Sequence, residues 1–244
     1  MRFFIRLSYL GTAYHGWQYQ PNAISVQEKL ETAFGTVLQT KTDITGAGRT
    51  DTGVHAKNFI AHFEMINPTF ENNLSLLIYK LNSLLPKDIG VHEIYKVADD
   101  AHARFDAKKR TYKYYISTQK DPFRINTAWL RLGELDIDLM NKAGDMLKEY
   151  NDFTSFAKLH ADAKTNICDL MKAEWTKDGN LYVFEISADR FLRNMVRAIV
   201  GTMVDLGRHK ITLEDFRNII ESKNRNNAGV SAAAEGLFLV EILY

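Results

Sequence analysis

The sequence predicts an α+β fold of two successive βαββαβ units, read as two ferredoxin-like halves joined through a mixed, mainly antiparallel sheet with an active-site cleft between them. Three observations carry that expectation. Short runs of alternating apolar residues give way to helical spacing in the same order in both halves. Capping and turn residues separate the runs. A length of 244 residues, 45% hydrophobic and 25% charged, suits a soluble globular chain with one large domain or two modest ones.

Phe3, Ile5, Leu7 and Tyr9 alternate with Phe4, Arg6 and Ser8 as in a half-buried strand. Ser25 and Glu28 stand at capping-box spacing, and Val26, Leu30, Ala33, Phe34, Val37 and Leu38 form one helical stripe behind them. A short strand follows, then a loop, then alternation again from Asn58 to Glu64. Leu74, Leu77, Ile78 and Leu81 mark a second helix that Pro86 stops, and Ile89 to Val97 reads as a strand. The second half repeats the order. It has a strand at Thr111 to Thr118, a helix at Ile137 to Glu149, strands at Ile167 to Trp175 and Leu181 to Ala188, a helix at Phe191 to Leu206, and a last strand at Leu237 to Leu243. An additional helix carries Thr212 and Asp215 at capping spacing, with Phe216, Ile219 and Ile220 as its buried stripe. The halves are expected at residues 1–106 and 107–244, with a hinge near Phe105 to Lys109.

The 31 Lys and Arg against 30 Asp and Glu leave a formal charge of +1, so any basic surface has to come from uneven distribution. The single Cys168 excludes an internal disulfide and a Cys-rich zinc site, and reads as a small buried hydrophobe. Met1 to Leu10 is apolar but broken by Arg2 and Arg6, with no cleavage site after it, and no run is long enough to span a membrane. The expectation is a cytoplasmic protein without a membrane partner.

The chemistry concentrates in Gly46-Ala47-Gly48-Arg49-Thr50-Asp51-Thr52-Gly53-Val54-His55-Ala56. Gly46, Gly48 and Gly53 permit a tight loop that brings backbone close to a ligand, and Asp51 is held inside it with Arg49 beside it as a substrate-binding candidate. Gly/Asp clusters make ordinary surface turns, but this length, with an Arg, an Asp and a His between two strands, exceeds what a turn requires. A lone carboxylate with no second acid and no metal-ligand spacing around it suits nucleophilic or general-base work.

Three other motif readings compete. Gly46-Ala47-Gly48 begins like a dinucleotide loop, but Asp51 occupies the third glycine's place and would repel pyrophosphate. No Gly-Lys-Ser/Thr follows, which removes a P-loop. Asp51-Thr52-Gly53 spells the aspartic-protease triplet, but it occurs once and follows a polar pair, so a protease would need a dimer sharing two aspartates.

Two basic groups accompany the loop. Arg104, Lys108, Lys109, Arg110 and Lys113 run into Tyr112, Tyr114 and Tyr115, a mixture that suits phosphates and stacked bases and equally suits a solvated strand edge. Tyr112 and Tyr114 share a strand face, so one of them is a candidate for the core. Arg190, Arg193 and Arg197 are spaced three and four apart, one stripe of an amphipathic helix if the helix starts after Asp189. That stripe is either the wet side of the helix or an anion grip, and one of its arginines is a candidate partner for Asp51.

The stretch Gly48 to Ala56 resembles the signature of the tRNA pseudouridine synthase A family. Gly16-Trp17-Gln18, Ser25 to Leu30, Leu85 to Ile89, His102 to Phe105, Asn151 to Phe156, Asn194 to Arg197 and Glu235 to Leu237 extend the resemblance along nearly the whole chain. Thr52 stands where an alanine is expected. The resemblance implies a homodimer that isomerises uridine to pseudouridine in the anticodon stem-loop of tRNA, at positions 38, 39 and 40, with no cofactor and no metal. It implies Asp51 as nucleophile, Tyr112 as the aromatic that stacks on the target base, and Arg197 as the partner of Asp51. Arg104, Lys108, Lys109, Arg110, Arg190 and Arg193 are the candidate RNA contacts. A non-catalytic RNA-binding module is the alternative, with a dimeric aspartic protease third. Against it, neither half carries the Lys/Arg-Gly-Phe/Tyr pattern of an RNP1 strand.

Overall fold

A computed structural model describes residues 1–158 and 165–244. It is a mixed α+β protein, and its chain divides into two compact units, Met1–Lys108 with Leu239–Tyr244, and Lys109–Phe238.

In the first unit β1 (Arg2–Tyr9) pairs antiparallel with β3 (His55–Glu64) on one side and β4 (Ile89–Lys96) on the other, and β2 (Ile44–Gly46) adds antiparallel to β3. The alternation in β1 buries Phe3, Ile5, Leu7 and Tyr9, and Phe4 as well, so both faces of this strand are covered at its start. The helix α1 (Val26–Leu38) has the expected capping box, Ser25 Oγ accepting from the Glu28 N–H and Glu28 reaching back to the Ser25 N–H. Its stripe is buried except for Val37, which is half-buried at the rim. The short α2 (Pro68–Glu71) starts with Pro at its first position under an Asn67 cap. The helix α3 (Leu74–Leu84) ends one residue before extended Leu85, as a following proline demands.

In the second unit β5 (Lys109–Ser117) pairs antiparallel with β8 (Leu181–Ala188), which pairs antiparallel with β7 (Leu170–Asp178). The two-residue β6 (Trp129–Leu130) adds parallel to β5, a pairing with no signal in the sequence. The helix α4 (Ile137–Leu147) is capped by Asp136, and α6 (Leu213–Glu221) has the predicted Thr212/Asp215 capping box, with Phe216 and Ile220 buried and Ile219 half-buried. Ile167 makes an isolated bridge to Asp152 and is not part of β7. The last strand, β9 (Leu237–Leu243), runs from the second unit into the first.

One expectation is overturned. The helix after Asp189 begins only at Met195, as α5 (Met195–Gly207), so Arg190, Arg193 and Arg197 do not form a helical stripe. Asn194 is left-handed at φ 65°, and the Met195 N–H donates to Leu192 O at 3.1 Å, so a turn stands where the helix was expected to begin. Nor is α5 amphipathic. Of its 13 residues all but Arg197 and Asp205 are buried, which makes it a core helix with apolar contact all round.

Candidate active site

The loop that carries Asp51 is held by another loop. Residues Leu10–Trp17, between β1 and α1, lie backbone to backbone against Thr50–Val54. The Trp17 N–H donates to Thr50 O at 3.4 Å, the Gly53 N–H to Tyr14 O at 3.3 Å, and the Gly11 N–H to His55 Nδ1 at 2.9 Å. A Cβ on Gly16 would collide with the Thr50 carbonyl, and one on Gly11 with the Val54 carbonyl, so only glycine allows this approach. Side chains fix the same segment. Thr50 Oγ1 and the Tyr9 hydroxyl share a 3.0 Å hydrogen bond, and Tyr14 donates to Asp88 Oδ1 at 2.6 Å. Burial, then the bond to Asp88, push the Tyr14 hydroxyl above its ordinary pKa and keep it a donor. His55 is fully buried, and because its Nδ1 accepts, its ring proton belongs on Nε2.

Asp51 sits half-buried at the turn these contacts define, its own carbonyl accepting from the Val54 N–H at 3.1 Å. The three glycines of the motif do different things. Gly53 is left-handed at φ 79°, whereas Gly46 leaves room for the Trp17 indole stacked 4.1 Å from the Phe59 ring. Gly48 has neither role: its φ is not in the left-handed region and nothing lies within 4 Å of where its Cβ would be. That open space belongs to a cavity of about 210 Å³ whose wall includes Trp17, Gln27, Gly46, Gly48, Arg49 and Arg104. Gln27 is fixed in the wall, donating to Glu31 at 2.8 Å and Ile44 O at 3.0 Å and accepting from the Tyr19 N–H. Asp51 is not part of the wall, so the cavity flanks the loop and does not enclose its carboxylate. Arg49 and Arg104, 55 residues apart in sequence, meet there, and both are exposed.

The other predicted residues lie in the second unit, except Lys108, which belongs to the first and whose N–H donates to Leu243 O. The tyrosine pair on β5 is resolved. Tyr114 is fully buried, its hydroxyl bonded to Ala233 O at 2.7 Å, and Gly236 leaves space for its ring. Burial raises its pKa, with the Arg197 guanidinium pulling the other way. Tyr112 is half-buried opposite Ile186, with Phe191 edge-on at 5.1 Å. Arg197 is half-buried in the first turn of α5, its Nε donating to Ala232 O at 2.7 Å. A cation at a helix N-terminus opposes the helix dipole at a cost of about 0.3–1 kcal/mol, so the helix itself gains nothing from this arginine. Arg190 is half-buried and Arg193 exposed. Of the basic cluster at the hinge, Lys113 is ion-paired with Glu185 at 3.1 Å and Arg110 is tied to the Asp189 backbone carbonyl at 2.7 Å, while Lys109 is half-buried.

Tyr9, Gly11, Tyr14, Gly16, His55 and Asp88 were not selected as site residues from sequence, although Gly16, His55 and Asp88 lay inside the motifs quoted above. Their signal was present only as pattern, because a backbone-to-backbone contact between loops 40 residues apart leaves no periodicity. Among the described residues no group of three or more His, Cys, Asp or Glu is placed to hold a metal, and no helix is long and apolar enough to cross a membrane.

Residues 150–244 match the family model described as tRNA pseudouridine synthase. The tRNA pseudouridine synthase A of Parabacteroides distasonis is 52% identical over 243 residues, covering 100% of this chain and 96% of its own length. That of Bacteroides fragilis is 54% identical over 244 residues, with 100% and 96% covered, and that of Acetivibrio thermocellus 38% over 240 residues, with 98% and 97% covered. The relationship spans both units, including the clamped loop around Asp51, and this chain therefore belongs to the tRNA pseudouridine synthase A family.

Proposed function

We propose that this chain isomerises uridine to pseudouridine in the anticodon stem-loop of tRNA, with Asp51 as the nucleophile. The observation that carries the reading is the Asp51 turn, over-determined by a second loop, in a chain related along its full length to tRNA pseudouridine synthases. The reaction breaks the C1′–N1 glycosidic bond and rejoins C1′ to C5 of the same base, and the C5 proton is replaced by one on N1. Substrate and product are isomers, so no cofactor or co-reactant is needed. The uridine must leave its stack to be reached. In this reading the half-exposed Tyr112 stacks on the flipped base, Arg49 binds the substrate, and Arg197 is the partner of Asp51. Arg104, Lys108 and Arg193, all exposed, are the best placed of the basic residues to meet phosphates, with Lys109, Arg110 and Arg190 less so.

Each half is read as ferredoxin-like. Supporting this, the strands of the first unit run in the antiparallel order β4-β1-β3-β2, and β5-β8-β7 of the second follow the corresponding part of that order. A cytoplasmic homodimer completes the reading. Phe123 and Ile125, 95% and 65% exposed, are surface that a second copy would cover, and light scattering on the purified chain measures the mass.

The decisive experiment incubates the chain with unmodified tRNA transcripts and maps pseudouridine. Asp51→Asn should abolish product while binding tRNA as the wild type does, because the side chain keeps its shape and loses its charge. Equal rates for the two proteins would end the assignment.

A further inference from the structure

The turn His102–Asp106 presents Phe105 to solvent at 73% exposure, and that exposure is supported from below. The Phe105 ring lies 4.3 Å from the His102 ring, which lies 4.6 Å from His62 on β3, which in turn stacks at 6.4 Å on Phe4 of β1. This aromatic ladder rises from the core of the first unit and ends in water. Its rungs are tied. The Ala103 N–H donates to His62 Nδ1 at 3.1 Å, the Arg104 and Phe105 N–H groups donate to His102 Nδ1 at 3.1 and 3.3 Å, and the Asp106 carboxylate accepts from the His102 N–H at 2.7 Å. Tyr244 adds a hydroxyl bond to Ala103 O at 2.7 Å. Burial, and then the neighbouring His102 and Arg2, lower the His62 pKa to about 4, which keeps Nδ1 an acceptor at neutral pH.

Such a turn spends many contacts to hold a phenyl ring in the least favourable place for one. The neighbouring Arg104 points to what covers it. The Arg104 guanidinium stands 5.6 Å from the ring centroid, and the same arginine lines the cavity that borders Arg49 and the Asp51 loop. A ligand at this place therefore has a flat apolar surface and negative charge, and must reach the catalytic loop.

We propose that Phe105 is a stacking platform for an unpaired nucleobase of the tRNA, extending the aromatic ladder by one rung, with Arg104 meeting a phosphate of the same strand. This rests on the tRNA reading above. An aromatic face accepts any base, so the platform supplies affinity and register and leaves sequence choice to other contacts. Because the turn is fixed before binding, little ordering cost remains.

The test measures binding of unmodified tRNA by anisotropy, separately from turnover, for the wild type and Phe105→Ala, Phe105→Leu and Phe105→Trp. The exposed position should leave all three melting within about 2 °C of the wild type. The Ala and Leu variants should bind about 10-fold more weakly with an unchanged salt slope, whereas Arg104→Met should lower the slope by about one. The Trp variant should bind as the wild type does, and its added indole emission should be quenched by tRNA. Binding by Phe105→Ala within twofold of wild type, Phe105→Leu matching Phe105→Trp, or an unquenched indole would each overturn the proposal. A wild type that binds tRNA by this pattern but forms no pseudouridine would instead contradict the enzymatic reading.

Discussion

Gly16→Ala probes the support of the candidate site without touching the site. Gly16 is left-handed at φ 86°, which costs an alanine about 1–2 kcal/mol. The new methyl would also collide with the Thr50 carbonyl, and restoring ordinary contact means parting the two loops by about 1 Å. The hydrogen bonds Trp17 N–H to Thr50 O and Gly53 N–H to Tyr14 O lie on that seam, each worth about 0.5–1.5 kcal/mol. The sum is about 3 kcal/mol, or a fall in Tm of about 10 °C for a chain of this size. The second effect is larger. A displacement of about 1 Å at a reacting group lowers kcat by about 100-fold. The assay is single-turnover pseudouridine formation well below the variant's Tm, with tRNA binding measured in parallel. The expected result is that lowered rate with affinity within about threefold of wild type. A variant that loses stability yet keeps its rate would show that the clamp does not position Asp51, and one with an unchanged Tm would refute the packing itself.

Three further outcomes are expected. Arg197→Met should slow the chemical step severely while leaving tRNA affinity near that of the wild type, whereas Arg193→Met should weaken binding and flatten its salt dependence; the reverse pattern would exchange their roles. Tyr112→Phe should keep tRNA stacking while Tyr112→Ala loses it, and full activity in the alanine variant would remove Tyr112 from the site. His62 has a folded pKa of about 4, below the unfolded value near 6.5, so the unfolded chain binds the extra proton between those limits. The stability His62 contributes is present above about pH 6.5 and is lost as pH falls toward about 4, and a His62→Gln variant should show a flatter decline of Tm over that window.

What was legible in the sequence was local. The Ser25/Glu28 and Thr212/Asp215 boxes are contacts within one helical turn, and both form as read. The Arg190, Arg193 and Arg197 spacing failed because helix periodicity says nothing of where a helix starts. Here the start is set by left-handed Asn194, tied to Ser231 at 2.6 Å from 37 residues away. The sequence could place Tyr112 and Tyr114 on one face but could not tell them apart, since what buries Tyr114 is Ala233 and Gly236, more than 100 residues later. In the motif itself Asp51 was visible as a residue type. The reasons it is held, Gly11 and Gly16 above all, were not, because they act across space.

The first unit is not one stretch of chain. Its closing residues Leu239–Tyr244 come after the whole of the second unit, Lys109–Phe238, which is 130 residues of intervening sequence. Bringing Lys108 to its partner Leu243 in an unstructured chain would mean closing a loop of that length, at an entropic cost of about 4 kcal/mol beyond the fixed part. If residues 109–238 fold first, their two ends are no longer separated by random coil and most of that cost is met by the second unit's own contacts. The order of folding then runs against the order of the chain: the unit that carries Asp51 closes last, using the second unit as the scaffold that delivers its final strand.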